Sequence, residues 1–149
     1  MKTIPIYSCK LVEIFPISTK IKFKASIVET GISAGFPSPA DDFLDTSIDL
    51  NKALIKNKDA TFYGRVKGDS MIGAGIHDGD LLIIDRSIEP KDGKIAVCFI
   101  DGDFTVKRIQ ITKDIIWLIA ENNNYKPIKV TKDNDFLIWG IVTNVIKSV

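Results

Sequence analysis

The sequence has little histidine and little cysteine, which excludes several kinds of site. One histidine, His77, and two cysteines, Cys9 and Cys98, occur among 149 residues. The cysteines form no C-x-x-C pair and no Cys/His cluster, so we expect reduced thiols, no zinc site and no other cofactor. No apolar run approaches the roughly 20 residues that span a bilayer, and no apolar targeting segment follows Lys2. These absences predict a cytoplasmic protein without a membrane anchor.

An excess of charge of one sign is lacking as well. Twenty basic and 19 acidic side chains leave a formal net charge of +1. Dedicated DNA binders usually carry a strong basic excess, so we expect no direct sequence-specific DNA binding. The charge is uneven, because residues 1–34 hold five lysines and two glutamates, a net +3 that leaves −2 for the remainder. A solvated basic strand face explains these lysines as well as a functional arm does.

The pattern along the chain is mostly that of short strands. Residues 21–27 alternate apolar with basic or polar side chains, which predicts a half-buried strand with a basic outer face. Branched apolar runs and Asp-Gly turns from Thr61 onward predict a mostly-β body. At this length we expect one compact domain with a mobile arm in front. The individual elements are predicted as strands at 94–100, 103–111, 115–120 and 136–146, and as short helices at 39–45 and 49–56.

A candidate nucleophile lies in the sequence Gly68-Asp69-Ser70-Met71, between a predicted strand and a glycine-rich turn. Small neighbours allow the Ser70 hydroxyl to project into solvent. The backbone N–H groups of Ser70 and Met71 can point at one spot, as an oxyanion hole requires. The motif alone is weak evidence, since Gly-Asp-Ser is also ordinary turn chemistry.

A nucleophilic serine needs a base, and the sequence offers two candidates. His77 directly precedes an Asp-Gly turn, which favours a solvated turn residue. Lys107 shares a predicted strand face with Thr105, Ile109 and Ile111. Burial in such a row favours the neutral amine that a Ser-Lys dyad requires. A lysine that snorkels to solvent would give the same pattern.

Several motifs together resemble the LexA-like family of self-cleaving Ser-Lys peptidases. They are Gly68-Asp69-Ser70-Met71, Asp78-Gly79-Asp80-Leu81-Leu82-Ile83 and Asp101-Gly102-Asp103-Phe104-Thr105-Val106-Lys107. Three further segments are similar to the family members that are precursor subunits of an error-prone DNA polymerase. These are Gly35-Phe36-Pro37-Ser38-Pro39-Ala40-Asp41-Asp42, Ile48-Asp49-Leu50-Asn51 and Asn124-Tyr125-Lys126-Pro127-Ile128. The likeness runs from about Gly35 to the C-terminus, and it implies a compact LexA/signal-peptidase-like β domain.

The resemblance implies a serine endopeptidase that cuts itself. Ser70 would be the nucleophile, Lys107 the base and Ala34-Gly35 the scissile bond. The cut would separate an N-terminal arm, residues 1–34, from a peptidase-fold domain, residues 35–149. A small residue followed by a flexible glycine suits that position.

The resemblance also implies a role and partners. A RecA–single-stranded DNA filament would stimulate the cut in the SOS response to DNA damage. The product would form a homodimer and bind the catalytic subunit of a Y-family translesion polymerase.

Other functions fit the sequence less well. A self-cleaving transcriptional regulator needs two packed helices ahead of the cut, and Pro5, Pro16 and the alternating stretch argue against them. A signal peptidase would need a membrane anchor. A binding module without activity would not need to keep the serine, the lysine and the cut site together.

Overall fold

The computed structural model describes residues 7–8, 12–16, 24–27 and 46–149. These ranges contain strands and one short α-helix, with a turn of 3-10 helix at Ile72–Ala74 after β5. The elements are β1 (Tyr7–Ser8), β2 (Val12–Pro16), β3 (Lys24–Ile27), β4 (Thr46–Asp49), α1 (Leu50–Leu54), β5 (Thr61–Val66), β6 (Leu81–Asp85), β7 (Ile95–Ile100), β8 (Asp103–Thr112), β9 (Ile115–Ile119), β10 (Ile128–Lys129) and β11 (Phe136–Ile146).

Nine of the strands form one sheet in the order β1-β2-β5-β6-β11-β7-β8-β9-β10. Every neighbouring pair is antiparallel. The predicted mostly-β fold is confirmed, and the four strands predicted between residues 94 and 146 are found as β7, β8, β9 and β11. β11 comes last in the sequence but lies in the middle of the sheet, between β6 and β7.

The turn between β7 and β8 shows how local chemistry fixes this register. Asp101 and Gly102 have φ values of 50° and 94°, the positive pair that a tight two-residue hairpin requires. The Asp101 carboxylate accepts hydrogen bonds from the Asn134 side chain at 2.7 Å and the Asp135 N–H at 2.9 Å. The turn therefore fixes the register of β7 with β8. Its Asp101 carboxylate also connects the turn by hydrogen bonds to the two residues just before β11.

Both faces of the central strands are buried. On β8, Phe104 and Val106 belong to one hydrophobic cluster, which also contains Met71 and Leu82. Ile109 belongs to a second cluster, with Ala96, Cys98, Leu118 and Ile141. Because successive side chains of a strand point to opposite faces, Lys107 faces the same side as Ile109.

The main sheet includes the first described strands of the predicted arm, which the sequence analysis did not foresee. β2 pairs with β5 over five positions, from Val12 opposite Val66 to Pro16 opposite Phe62. Ile14 is fully buried in the same cluster as Met71. This part of the arm is therefore packed into the sheet and does not simply precede the body.

A second compact unit, described here by itself, contains β3, β4 and α1. β3 pairs with β4 in antiparallel register and lies within the strand predicted at 21–27. The helix predicted at 49–56 is shorter, Leu50–Leu54. The Asp49 side chain caps its start by accepting from the Asn51 N–H at 3.0 Å, and Ile55 ends it with extended backbone angles.

Some predicted features lie outside the described residues. They include the Ala34-Gly35 bond, the helix expected at 39–45 and residues 21–23 of the predicted strand. Within the described ranges, no helix is both long enough and apolar enough to cross a membrane.

Candidate active site

The loop that carries Ser70 connects β5 to β6, and hydrogen bonds close it at its base. Val66 donates to the Asp80 carbonyl at 2.9 Å, and Gly79 donates back to the Val66 carbonyl at 2.8 Å. The Gly68 N–H donates to the Asp78 carboxylate at 2.8 Å. The chain can turn sharply here because Gly68 and Gly79 both adopt positive φ. A short and firmly closed loop therefore presents the serine.

Met71 anchors the loop directly after the serine. Its side chain is 2% exposed and lies in the main hydrophobic cluster. Its carbonyl accepts from Ala74 at 3.0 Å and from Ile76 at 3.2 Å, which forms the single 3-10 turn. Ser70 itself is only partly buried. The packing of Met71 thus fixes the backbone that carries the hydroxyl, while Ser70 remains partly accessible to solvent.

The structure brings Ser70 and Lys107 together across 37 positions of sequence. The Lys107 Nζ lies 3.2 Å from the Ser70 Oγ. Lys107 is in the middle of β8, opposite Ala96 on β7, and is only 6% exposed. The Thr105 hydroxyl oxygen, at 2.7 Å, and the Val106 carbonyl oxygen, at 3.1 Å, complete the surroundings of the amine.

Burial determines the charge behaviour of this amine. Removal from water disfavours the ammonium form, so the pKa of Lys107 lies below its ordinary value. Burial also raises the pKa of the Cys98 thiol to about 12. Cys98 is therefore protonated and unreactive at neutral pH, and it leaves Lys107 without a nearby thiolate.

The three oxygen atoms around the amine can satisfy either of its protonation states, since an ammonium would donate to all three and the neutral form would donate to two. A neutral amine has two N–H donors and one lone pair. The Val106 carbonyl can only accept, and the Thr105 hydroxyl can accept the second N–H. The lone pair is then left for the Ser70 hydroxyl. This arrangement allows the lysine to accept the proton of the serine.

The backbone N–H groups of Ser70 and Met71 are the predicted oxyanion donors. Among the hydrogen bonds of the described residues, neither group donates to another protein atom. The two groups are adjacent at the start of the 3-10 turn. Their role as donors stays a prediction.

His77 lies elsewhere in the loop and has other partners. Its Nδ1 is 3.0 Å from the Lys147 Nζ, near the C-terminus, and its backbone N–H donates to the Asp80 carboxylate at 2.8 Å. Lys147 also forms an ion pair with Asp80, which is 5% exposed. These contacts make His77 part of the closure of the loop, and among the described residues Lys107 is the basic side chain in contact with Ser70.

A segment after β9 holds the serine loop from the other side, a role that was not predicted from the sequence. The Asn122 side chain donates to the Asp69 carbonyl at 3.0 Å, and the Tyr125 hydroxyl donates to the Asp69 carboxylate at 2.6 Å. The Gly73 N–H donates to the Glu121 carbonyl at 2.7 Å. A Cβ on Gly73 would lie only 2.6 Å from that carbonyl oxygen, so only glycine allows this approach. The sequence signal for this segment was the family resemblance of Asn124-Tyr125-Lys126-Pro127-Ile128.

Arg108 connects this segment to the strand of the lysine. Its Nε forms an ion pair with the Glu121 carboxylate, and its guanidinium also donates to the Gly93 carbonyl at 2.7 Å. Arg108 directly follows Lys107 in β8. Through Glu121 and Gly73, the strand of the lysine and the loop of the serine are thus physically joined.

The fold and this site define a class of protein with which the sequence comparison agrees. The chain belongs to the Peptidase S24-like family, whose model matches residues 26–143. It is a UmuD-type member of that family, which is the type whose members, the precursor subunits of an error-prone DNA polymerase, the sequence motifs resemble.

Three similar proteins illustrate this membership. The chain is 37% identical over 136 residues to Protein SamA of Salmonella typhimurium strain LT2, which covers 91% of this chain and 94% of that protein. It is 39% identical over 114 residues to Protein ImpA of Escherichia coli, covering 76% and 77%. It is also 39% identical over 116 residues to LexA repressor 1 of Xanthomonas axonopodis pv. citri, covering 78% of this chain and 57% of that protein.

Proposed function

We propose that this protein is a precursor that cuts its own Ala34-Gly35 bond, with Ser70 as nucleophile and Lys107 as general base. The observation that carries the proposal is the 3.2 Å contact between the Ser70 Oγ and the amine of a buried lysine. A solvated lysine, with a pKa near ~10.4, holds its proton at neutral pH and cannot act as a base. A desolvated lysine can. Membership of a peptidase family supports the reaction class.

In the first half of the reaction, the neutral Lys107 amine takes the proton of the Ser70 hydroxyl. The Ser70 Oγ attacks the carbonyl carbon of Ala34 and forms a tetrahedral intermediate. The backbone N–H groups of Ser70 and Met71 are the candidate donors to its oxyanion. The Lys107 ammonium then gives its proton to the nitrogen of Gly35, and the C–N bond breaks. Ala34 is left as an ester on Ser70.

In the second half, the same lysine activates water. The amine is neutral again after protonating the Gly35 nitrogen, so it can take a proton from a water molecule that attacks the ester. The bond between the Ala34 carbonyl carbon and the Ser70 Oγ then breaks, and the Ser70 Oγ takes the proton from Lys107. Ala34 departs as a carboxylic acid, which loses its proton to solvent. Thr105 and Val106 keep the amine in place during all four proton transfers. The cut occurs once per chain, which suits a switch better than turnover.

The wider role follows from the type of protein. As a UmuD-type protein, this chain acts in SOS mutagenesis. In our proposal, a RecA–single-stranded DNA filament in the cytoplasm stimulates the cut. The product, residues 35–149, forms a homodimer and serves as the accessory subunit of a Y-family, UmuC-like catalytic subunit. The cut thereby connects DNA damage to translesion synthesis.

The role can be tested by mutagenesis in cells. In a strain that lacks its own UmuD-type protein, this chain and the cognate polymerase subunit should restore damage-induced mutation. Full-length Ser70→Ala should not restore it. The same substitution in residues 35–149, where no cut is needed, should restore it. Equal mutation frequencies with the two full-length proteins would refute a role for the cut.

The similarity to a LexA repressor favours one alternative, a self-cleaving transcriptional regulator. The described residues before the cut argue against it, because 7–8, 12–16 and 24–27 are strands and not the helices of a DNA-reading domain. Titration of the full-length chain with duplex DNA at two salt concentrations distinguishes the two functions. Tight binding that weakens steeply with salt would support the regulator. We expect no such binding.

A further inference from the structure

β5 is an interior strand only because the arm supplies β2. The order of the sheet places β1 and β2 outside β5, and the other side of β5 is paired with β6. β2 covers β5 over five paired positions, from Val66 to Phe62. A protein without residues 1–34 would therefore present β5 as an edge strand. Such an edge is a template on which another extended chain can pair.

The same edge has a specific place for one apolar side chain. Ile14 is 0% exposed and lies in the cluster that contains Val66, Met71 and Phe104. The residue opposite Ile14 on β5 is Gly64, which has no side chain to occupy that space. Loss of the arm would thus open both a row of backbone hydrogen-bonding groups and an apolar pocket in the main core.

We propose that the β5 edge and the Ile14 pocket form a strand-acceptor site. Val12–Pro16 fills it before the cut, and an extended segment of a partner protein fills it afterwards. This proposal rests on the proposed cut between Ala34 and Gly35 and goes beyond it. The partner segment pairs with Thr61–Val66 and places an aliphatic side chain opposite Gly64. Backbone pairing supplies affinity and the pocket supplies selectivity, as in other cases of strand addition.

The cut alone is enough to change the occupancy of this site. While the arm is covalently attached, its strand meets β5 at an effective concentration on the order of millimolar. After the cut the same strand must bind from solution. At micromolar protein concentration, a short strand with weak intrinsic affinity then dissociates. A competing partner segment can replace it without any rearrangement of the domain.

A second copy of the chain fits this site less well than a partner segment. In an antiparallel pairing of β5 with its own copy, the residue that reaches the Gly64 position on the core face would be Phe62 or Val66. Both already pack against the core of their own subunit. β5 therefore has no free aliphatic side chain with which to fill the pocket of its copy.

The test uses the full chain, cut by a means that does not depend on Ser70. A specific protease site replaces residues 28–33 in a Ser70→Ala background, and hydrogen–deuterium exchange reports on the β5 amides. We expect protection of Thr61–Val66 in the uncut chain and its loss after cutting and dilution. A hundredfold excess of the peptide 7–17 should restore protection. The same peptide with Ile14→Asp should bind at least about tenfold more weakly, because a carboxylate would enter the pocket.

Each other outcome overturns the proposal. β5 amides that stay protected after cutting would show a retained arm if the fragment coelutes in size exclusion. If the fragment elutes separately and the β5 protection is lost only on dilution to monomer, they would show pairing with a second copy. Equal restoration of β5 protection by the two peptides would show that no selective pocket receives the side chain at position 14. β11 amides report on the fold, and their exposure after cutting would show that the arm is a structural strand. The added protease makes the cut in this experiment, so the exchange result does not depend on self-cleavage. Failure of self-cleavage would refute the proposed function alone.

Discussion

The Tyr125 hydroxyl donates a 2.6 Å hydrogen bond to the carboxylate of Asp69, the residue directly before Ser70. Asn122 binds the carbonyl of the same aspartate, and Glu121 binds Gly73 three residues beyond the serine. The segment after β9 therefore forms hydrogen bonds with the loop on both sides of Ser70. The ion pair of Arg108 with Glu121 connects this segment to the strand that positions Lys107.

Loss of the hydrogen bond between Tyr125 and Asp69 should slow self-cleavage without unfolding the protein. Tyr125→Phe removes only the hydroxyl, and we expect a rate about 3–10-fold lower, since small displacements of reacting groups are costly. The hydrogen bond to Asp69 and its negative charge raise the pKa of Tyr125 above its ordinary value, so the donor keeps its proton in mildly alkaline assays. Asn123→Ala, in the same loop, is the control. A Tyr125→Phe protein that cleaves at the wild-type rate would refute a positioning role.

The pH dependence of cleavage should follow the neutral fraction of Lys107. Desolvation lowers its folded-state pKa, and the active form is the unprotonated one. The rate should therefore rise with pH through the folded-state pKa and level off above it. Spontaneous cleavage in alkaline buffer, measured without the RecA filament from neutral pH upward, gives this profile. A rate that falls over this range would contradict a lysine base.

Substitutions identify the titrating group. Lys107→Arg should be inactive at every pH because arginine keeps its proton, and Lys107→Ala should be inactive because no base remains. His77→Ala should cleave normally, since the contacts of the His77 ring are with Lys147. Robust cleavage by Lys107→Arg, or loss of activity in His77→Ala, would return histidine to the mechanism.

Thr105 should matter because it orients the amine. Thr105→Val keeps the shape of the side chain but removes the acceptor 2.7 Å from the Lys107 Nζ. The amine can then turn its lone pair away from Ser70, and we expect the plateau rate at high pH to fall roughly tenfold. Thr112→Val, at the exposed end of the same strand, should have no effect. Equal plateau rates for the two variants would show that Val106 suffices to hold the amine.

The part of the site that lies on regular strands could be predicted from the sequence. Alternation along β8 placed Lys107 on the face of Ile109, and the structure buries both. Ile111, assigned to the same face, is 39% exposed because it lies near the end of the strand, beyond the second core cluster. The Asp-Gly turn before β8 was equally visible, since its backbone requirement is local.

The contacts between distant segments could not be predicted in this way. Asp69 and Tyr125 are 56 positions apart, and both lie in polar loops without periodicity. The pairing of β2 with β5 joins segments that share no local signal, and Ile14 carries no mark of its burial in the sequence. Pairings of this kind are decided by the whole sheet and not by the residues of one segment.

The most direct test of the account is the mass of the cleavage product. Purified full-length protein is incubated with RecA, single-stranded DNA and a nucleotide, and intact-mass spectrometry identifies the fragments. The account predicts two, residues 1–34 and 35–149, from the wild type and none from Ser70→Ala. A cut at another bond, or equal cutting of the Ser70→Ala protein, would contradict it.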